Sequence, residues 1–428
     1  MRPLLRGLTR TLLATAVALA AAGAHAQDYP IDPPGAEPGK GPVPPSGIAL
    51  PELLAPAPEL VTPLALLDRL VVPGTRLQLE WRPGGGISNA EIPSPVIVAR
   101  GAKAGPVLCL VAGIHGDEIN GVEIVRRLSH GVDPTRLSGT VIGVPIVNVF
   151  GYSRGSRYLP DRRDLNRHFP GSRSGSIASR IANAFFQDIV RHCDVLVDFH
   201  TGSFDRSNLP QVRADLTNPD VLEFTRGFGA TVVLHSPGNR GMLRVAATKV
   251  GIPAVTFEAG APTRLEPAEI AQAVAAIDRL MIKLGMREDP NAGLPLPGET
   301  PVLAPEAPEP APIFLDSRWV RANSGGLLIS DVSLGQRVLA GQRLGKVIDP
   351  VSNVERYILA PVPGRVIGMA QNQAVLPGYA AFHLGTETSE QQAVQEAAAP
   401  GPAPAEAVAE DPEDRPEAVD VEDGEDYE

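Results

Sequence analysis

The 428-residue sequence is poor in cysteine, in aromatic residues and in long apolar runs. It holds two cysteines and 4% aromatic residues, and neither cysteine has the neighbours of a nucleophile or a metal ligand. The apolar run near the amino terminus, 11–22, is shorter than the about 20 residues that a membrane span needs, so membrane insertion is not expected. The 44 prolines exclude a coiled coil and place much of the chain in loops and linkers.

Positive charge is also scarce beyond the amino terminus. The formal net charge is −11, but residues 387–428 hold 15 acidic residues and one basic residue, so the rest of the chain carries +3. Arg2, Arg6 and Arg10 supply that excess and leave the body of the chain near neutrality. A basic face for nucleic acid is therefore not indicated, and no nucleic-acid partner is expected.

The amino terminus has the three zones of a secretory signal. Basic residues come first, the apolar run 11–22 follows, and Ala24-His25-Ala26 fits a cleavage site with small flanking residues. We therefore predict a signal peptide over residues 1–26 and a periplasmic or secreted protein. No cysteine follows the cleavage site, so a lipid anchor is not expected.

The two cysteines lie in apolar, strand-like surroundings. Cys109 falls within the run 106–112, and Cys193 directly precedes the run 194–199. In an oxidising compartment the two could pair, but we expect two buried free thiols, because unpaired cysteines are among the residues most often buried.

Segments of biased composition divide the chain. Residues 27–59 and 289–312 are rich in proline and lack periodicity, and 387–428 combine Ala, Pro, Glu and Asp with almost no aromatics. We predict a disordered spacer, a linker and a disordered acidic tail over these ranges. Two folded regions remain, 60–288 and 313–386.

The first region alternates apolar strands with amphipathic helices. Strands are predicted over 107–112, 139–149, 194–200, 232–235 and 254–257, and helices over 121–128, 177–190 and 267–284. This alternation predicts an α/β fold, a sheet with helices on both faces. Functional residues of such sheets gather where strands end and loops begin.

Metal-binding residue types occur at three of these strand ends. His115 and Glu118 follow one strand with i, i+3 spacing, which brings an imidazole nitrogen and a carboxylate to one side of a turn, and His200 ends another strand. Two nitrogens and a carboxylate with a fourth position open are how catalytic zinc is held. Glu258 ends a further strand, where a carboxylate beside the metal can take a proton from water. One zinc ion per chain is expected.

The segment 157–171 is too polar for a core and too constrained by Pro and Gly for a linker. Arginine forks bind carboxylates through two parallel hydrogen bonds, and a neighbouring asparagine can complete the cradle. Solvated arginines on a surface loop would give the same pattern. Elsewhere, Asp198 is expected either to support His200 from behind or to be a buried, hydrogen-bonded carboxylate, and His235 is expected to have a structural partner.

The motifs resemble those of the succinylglutamate desuccinylase/aspartoacylase family, a branch of the zinc carboxypeptidase superfamily. Four of them stand in the family's order over about residues 95–290: Gly-Ile-His-Gly-Asp-Glu from 113, Asp-Leu-Asn-Arg-His-Phe-Pro-Gly from 164, Val-Asp-Phe-His-Thr-Gly from 197 and Phe-Glu-Ala-Gly from 257. The resemblance implies a zinc-carboxypeptidase-like twisted mixed sheet flanked by helices.

The resemblance also implies roles for individual residues. It makes His115, Glu118 and His200 the zinc ligands and Glu258 the general base. Asn166 and Arg167 should hold a substrate carboxylate, with Arg244 as a further substrate contact. Arg157 should polarise the scissile carbonyl, although Arg162 and Arg163 compete for that role.

Residues 313–386 show short strands punctuated by glycine, which predicts a small antiparallel β-domain. Gly335-Gln-Arg-Val-Leu-Ala-Gly341 and Ala360-Pro-Val-Pro-Gly364 resemble biotinyl/lipoyl-type barrel-sandwich modules. A carrier module needs a lysine at an exposed hairpin tip, and the predicted tip, 349–355, has none. A structural or access-limiting module is therefore expected.

Together these features predict an exported zinc hydrolase that cleaves an amide bond of a small N-acyl amino acid or a peptide with a free carboxylate. Two alternatives stay open. One is a periplasmic zinc carboxypeptidase or amidase acting on cell-wall peptides, and the other is a non-catalytic binding protein with a zinc-enzyme fold. The acyl group, the amine and the oligomeric state are not fixed by the sequence.

Overall fold

The computed structural model describes residues 61–83, 92–288 and 313–388. The predicted signal peptide (1–26), spacer (27–59) and linker (289–312), and the acidic tail beyond residue 388, lie outside the described residues. Over the described ranges, no helix is both long and apolar enough to cross a membrane.

The first folded region is an α/β structure, as predicted. Its strands are β1 (Leu64–Leu66), β2 (Arg69–Val71), β3 (Thr75–Trp81), β4 (Ser94–Arg100), β5 (Lys103–Ala112), β6 (Ser138–Val144), β7 (Val195–His200), β8 (Arg206–Ala214), β9 (Val232–His235) and β10 (Ala254–Gly260). Its helices are α1 (Ile119–Gly131), α2 (Val149–Tyr152), α3 (Ile177–Asp188), α4 (Pro219–Thr225), α5 (Leu243–Thr248) and α6 (Pro267–Lys283).

Among the described residues, twelve strands form one mixed sheet, and parallel strands lie at its centre. Strands β10, β7, β5 and β6 run parallel, and β4 and β8 are antiparallel to their neighbours β6 and β10. Because the parallel strands share a direction, their carboxyl ends meet at one edge of the sheet, where a site is expected.

Alternate residues of these strands face two separate apolar cores. On one face, Leu110, Val197 and Phe257 pack with helices α1, α4 and α6, and on the other, Leu196 and Ala254 pack with α3 and α5. A sheet covered on both faces explains why its strands appear in the sequence as near-continuous apolar runs.

The segment 139–149, predicted as one strand, contains the end of a strand and the start of a short helix. Strand β6 ends at Val144, and the side chain of Asn148 accepts a hydrogen bond from the Gly151 amide to cap the short helix α2. Asparagine is a preferred residue at this capping position. The apolar residues Ile146, Val147 and Val149 therefore continue the run without extending the strand.

The prediction of two free thiols is wrong. Cys109 on β5 and Cys193 just before β7 form a disulfide, with their Cα atoms 5.7 Å apart. Strands β5 and β7 pair in parallel with Cys109 opposite Leu196, which brings Cys193 within bridging distance. The 84-residue separation in sequence gives no sign of this register.

The second region contains only strands among its described residues. They are β11 (Ile313–Arg321), β12 (Gly326–Ser330), β13 (Arg337–Val338), β14 (Arg343–Ile348), β15 (Glu355–Leu359), β16 (Gly364–Ala370), β17 (Ala374–Val375) and β18 (Ala380–Thr388). Residues 349–354 join β14 to β15, so the predicted hairpin tip is a turn without lysine.

This carboxyl-terminal segment (Ile313–Thr388) continues the sheet of the first region. Strand β11 pairs in parallel with β9, and β16 pairs antiparallel with β8, placing Gly368 opposite Asn208. Four other strands form a second sheet in the order β15-β14-β12-β17. The segment is thus β-structured, as predicted, and is hydrogen-bonded directly to the strand that borders β10.

Candidate active site

Two glycines shape the turn that carries His115 and Glu118. Gly113 follows β5 with φ +66°, a left-handed conformation that favours glycine. A Cβ added to Gly116 would lie 2.0 Å from the carbonyl carbon of Gly151, so the close approach of these two segments requires glycine there. The chain then turns back, with the Glu118 amide donating to the His115 carbonyl at 3.3 Å, and enters α1.

Strand register places His200 and Glu258 side by side. The parallel pairing of β7 with β10 sets Leu196 opposite Ala254, Asp198 opposite Thr256 and His200 opposite Glu258. Side chains two residues apart on a strand point to the same face. Asp198, His200 and Glu258 therefore share one face at the carboxyl end of the sheet.

Potential metal-ligand atoms of three residues converge at this edge. His115 Nδ1 lies 2.8 Å from Glu118 Oε1, His200 Nδ1 lies 2.8 Å from Glu118 Oε2, and the two Nδ1 atoms are 3.1 Å apart. The exposed fractions of His115, Glu118 and His200 are 3%, 1% and 4%. A single ion at the 2.0–2.2 Å typical of zinc can contact atoms spaced this closely.

Each imidazole is held from behind by a carboxylate. His115 Nε2 lies 2.9 Å from Asp164 Oδ1, and His200 Nε2 lies 2.9 Å from Asp198 Oδ2. An ionised carboxylate only accepts hydrogen bonds, so each Nε2 carries a hydrogen, and a metal ion bound beside Glu118 would take the place of a proton on each Nδ1. Carboxylates placed behind metal-bound histidines fix the tautomer in this way. The donor set therefore fits a cation such as zinc.

The electrostatics of the cluster also favour a cation. Burial opposes charge on both imidazoles, but the charge of Asp198 and Glu118 outweighs it and raises the pKa of His200 well above its usual range. Burial likewise opposes charge on Glu118, yet His115 and His200 hold the pKa of that carboxyl well below its usual range. The negative charges of Asp198 and Glu118, which favour a proton on His200, would equally favour a metal ion in its place.

Arg157 forms ion pairs with two carboxylates at this cluster. Its guanidinium donates to Glu118 Oε1 at 2.8 Å and to Asp164 Oδ2 at 3.1 Å. It thus joins a predicted ligand to the carboxylate that orients His115. The side chain is 9% exposed and also lies in the wall of the cavity described below.

The predicted substrate contacts lie beside the cluster. The Asn166 side-chain oxygen accepts from the Leu243 amide at 2.8 Å, which turns its nitrogen towards His200 Nε2, 3.4 Å away. Arg167 donates to the Asn166 carbonyl, and Arg244 donates to the carbonyl and hydroxyl of Ser236.

One cavity of about 360 Å³, counted with its opening to solvent, brings all eight predicted residues together. They are His115, Glu118, Arg157, Asn166, Arg167, His200, Arg244 and Glu258, and Thr201, Arg213, Met242 and Thr256 complete the lining. His235, which is not among the lining residues, accepts from the Leu216 amide, as expected of a histidine with a structural partner.

Comparison with known proteins identifies the family to which the chain belongs. Residues 104–284 match the family model described as the succinylglutamate desuccinylase/aspartoacylase catalytic domain. The chain is 30% identical over 296 residues to the N-alpha-acetyl-L-2,4-diaminobutyric acid deacetylase of Halomonas elongata, covering 65% of this chain and 81% of the relative. The chain belongs to the succinylglutamate desuccinylase/aspartoacylase family.

Solved structures of the family share the fold. A succinylglutamate desuccinylase/aspartoacylase from Rhodobacter sphaeroides aligns with a TM-score of 0.63 at 22% identity, over 73% of this chain and 96% of that one. A product-bound ectoine utilization protein from Ruegeria pomeroyi aligns with a TM-score of 0.62 at 23% identity, over 76% and 99% of the two chains. The α/β sheet is thus the family's fold.

Sequence reasoning missed two residues of this family member's site. Arg213 lines the cavity with its Nε 3.6 Å from Glu258 Oε1, and Asn208 Nδ2 donates to Glu258 Oε2 at 3.3 Å. Both lie on β8, where Pro210 argues against a central strand. Leu209 and Pro210 lie in a register shift opposite Ala259, the kind of position that tolerates proline. The polar residues 206 and 208 before Pro210, and 211 and 213 after it, were the available signal.

Proposed function

We propose that this chain is an exported zinc-dependent hydrolase that cleaves the amide bond of a small N-acyl amino acid or a short peptide with a free carboxylate. One observation carries the proposal: two Nδ1 atoms and the Glu118 carboxylate converge, each imidazole backed by a carboxylate, in the cavity that Glu258 also lines. Deacylation of amino acids is what its curated Halomonas relative is named for.

His115, Glu118 and His200 would hold the zinc ion. Bound there, zinc would polarise a carbonyl oxygen and lower the pKa of a nearby water molecule. Glu258 takes the proton of the attacking water and passes it to the leaving amine, as a general acid–base residue does. Arg157, anchored on Glu118 and Asp164, holds the oxygen of the amide carbonyl as it becomes negative.

The lining of the cavity supports a substrate with a carboxylate. Arg157, Arg167, Arg213 and Arg244 all contribute to it, and guanidinium groups bind carboxylates through paired hydrogen bonds. Asn166 adds an amide nitrogen.

The buried disulfide supports the proposal of export. Disulfides persist in the periplasm and outside the cell, and are rare in cytosolic proteins. Fractionation of cells that express the full chain tests the proposal. Recovery from the periplasm or medium with a new amino terminus near residue 27 is expected, and an uncleaved cytosolic protein would contradict it.

The test of function combines metal analysis with a substrate panel. The panel contains N-alpha-acetyl-L-2,4-diaminobutyrate, N-acyl derivatives of acidic and neutral amino acids, and cell-wall peptides. One zinc per chain and cleavage of an N-acyl amino acid that a chelator abolishes and zinc restores are expected. Zinc without cleavage of any member would favour a binding protein, and cleavage of the peptides alone would favour a cell-wall enzyme.

Glu258→Gln tests the general base. The amide keeps the shape of the side chain but takes no proton, so turnover should fall about 10²- to 10⁴-fold while zinc stays at one per chain. Glu80→Gln, at an exposed side chain of strand β3, is the matched control and should leave turnover unchanged. Near-wild-type turnover in Glu258→Gln would overturn the proposed role.

For the carboxyl-terminal segment we propose a structural or access-limiting role with a barrel-sandwich form. Its strands β16 and β18 extend the sheet next to the active-site strands, and its hairpin tip has no lysine to carry a group.

A further inference from the structure

Asn208 contacts the carboxylate that the proposed function makes the general base. Its side-chain nitrogen lies 3.3 Å from Glu258 Oε2, and its exposed fraction is 0%. A carboxylate only accepts hydrogen bonds, so the amide nitrogen must be the atom that faces it. Asn208 is therefore a hydrogen-bond donor aimed at Glu258 from the neighbouring strand.

The other end of the same amide is unsatisfied. Asn208 Oδ1 is buried and has no hydrogen-bond partner among the described residues. A buried polar atom without a partner is unfavourable for folding, whereas leucine, similar in size, would carry no such penalty. Among the described residues, the polar contact that distinguishes asparagine from leucine here is therefore the hydrogen bond from its nitrogen to Glu258.

Asn208 also lies where the two folded regions join. On β8 it pairs with Gly260 of β10 on one side and with Gly368 of β16, in the carboxyl-terminal segment, on the other. A Cβ added to Gly368 would lie 2.6 Å from Asn208 Oδ1. Glycine at position 368 therefore leaves the space that the Asn208 amide occupies. The φ of Gly368 is not left-handed, so the backbone conformation does not require glycine there.

We propose that Asn208 is a positioning residue for Glu258, and that Gly368 of the carboxyl-terminal segment keeps its amide in place. The inference rests on the proposed role of Glu258. It gives the carboxyl-terminal segment a part in catalysis without any contact with the substrate, because β16 supplies the surface against which Asn208 is held.

Asn208→Leu tests the proposal with little change in volume. With whichever panel substrate is cleaved, kcat should fall about 10- to 100-fold, KM should stay within about threefold, and zinc should remain at one per chain. Thermal stability should change little, because removal of the unpartnered Asn208 oxygen offsets loss of the hydrogen bond to Glu258. Wild-type kcat in this variant would overturn the proposal, as would a loss explained by unfolding or zinc release.

A double-mutant cycle separates this inference from the proposed function. In a Glu258→Gln background, Asn208→Leu should change the residual kcat by less than about twofold, because Asn208 acts through the group already removed. A full further loss would show that Asn208 acts elsewhere. If Glu258→Gln itself keeps its turnover, the proposed general base fails, whatever Asn208 does.

A structural measurement tests the proposal even if no member of the substrate panel is cleaved. Crystal structures of zinc-loaded wild type and Asn208→Leu should show the Glu258 carboxylate fixed in the cavity wall in the first and displaced or split between conformers in the second. An unmoved, single conformer in Asn208→Leu would overturn the proposal.

Gly368→Ala tests the contribution of the carboxyl-terminal segment. The added methyl group displaces the end of the Asn208 side chain, a movement that costs little stability but moves the donor. A loss of kcat similar to that of Asn208→Leu is expected. Gly325→Ala is the matched control, because an added Cβ there meets no heavy atom closer than 3.4 Å. Equal kcat in the two variants would remove Gly368 from the proposal.

Discussion

Asp164 and Asp198 decide which nitrogen each active-site imidazole offers. Both carboxylates are buried and lie 2.9 Å from an Nε2 atom, so a bound metal ion would be held by the Nδ1 atoms. His115 and His200 could otherwise rotate or change tautomer, and the three donors would no longer converge. At the scale of single residues, the site is thus defined as much by these two aspartates as by the predicted ligands.

Asp198→Asn should weaken zinc binding about 10- to 100-fold, because an amide can present its N–H group to His200 Nε2 and favour the wrong tautomer. Asp164→Asn should act in the same way on His115. Competition with a chromogenic chelator measures the affinity. Asp161→Asn, in the same segment but paired with Arg163, is the control and should bind zinc as the wild type does. Unchanged affinity in both test variants would show that the carboxylates do not orient the ligands.

Four of the eight residues predicted for the site, His115, Glu118, His200 and Glu258, have a local signature, and the other four were assigned from the resemblance to the family. His115, His200 and Glu258 follow apolar runs, and strand ends are where sites form. Arg213 and Asn208 carry no such signature, since they point into the site from the middle of a strand. The disulfide of Cys109 was missed for a related reason, because it depends on a register between strands that local sequence does not reveal.

The turn between β5 and α1 is the element that makes the metal cluster possible. Gly116 lies against the backbone of Gly151, and its amide donates to the Ser156 carbonyl at 3.1 Å. Because this contact is between backbone atoms, no change of side-chain rotamer can alter the distance between the two segments. The turn thus fixes the spacing of His115 and Glu118 through backbone packing.

Gly116→Ala should therefore lose zinc and stability together. The added Cβ would approach the Gly151 backbone to 2.0 Å, and overpacking of this kind costs about 1–3 kcal/mol or more. Zinc content after dialysis and urea unfolding measure the two effects. Gly131→Ala, at the end of α1 with no heavy atom within 4 Å of the added Cβ, is the control and should keep both. Full zinc content in Gly116→Ala would contradict this account.

Elements differ in how well their sequences reveal them. The run 232–235 was predicted with the bounds of β9, and helix α6 with one residue too many, because apolar periodicity is strong and the ends are marked by Pro or Gly. Strand β8 was not predicted, since Pro210 lies in it and its polar residues face the site rather than solvent. The polar residues that make this strand part of the site are the ones that break the apolar pattern by which strands are predicted.

At the scale of the whole molecule, the described parts of residues 61–388 are held together by a sheet that passes from one folded region to the other. Strand β11 pairs with β9 and β16 with β8, and Val232, Leu234, Phe314 and Ile367 form an apolar cluster across the junction. The sequence, in which a proline-rich segment separates the regions, suggests independence instead. Composition indicates where one region ends and the next begins, but it does not show which strand edges meet.

We therefore expect the two regions to unfold together. Separating them would expose the apolar cluster and leave the edges of β8 and β9 unpaired. The chain has two tryptophans, Trp81 in the first region and Trp319 in the second, so single-tryptophan variants report on each region. In Trp81→Phe, the urea transition of Trp319 fluorescence should coincide with that of far-UV circular dichroism, and in Trp319→Phe the same should hold for Trp81. Comparing two signals within one variant removes the effect of the substitution on stability. If Trp319 reports a transition at lower urea than circular dichroism, the carboxyl-terminal segment unfolds alone, and the sheet junction is weaker than its hydrogen bonds and buried side chains indicate.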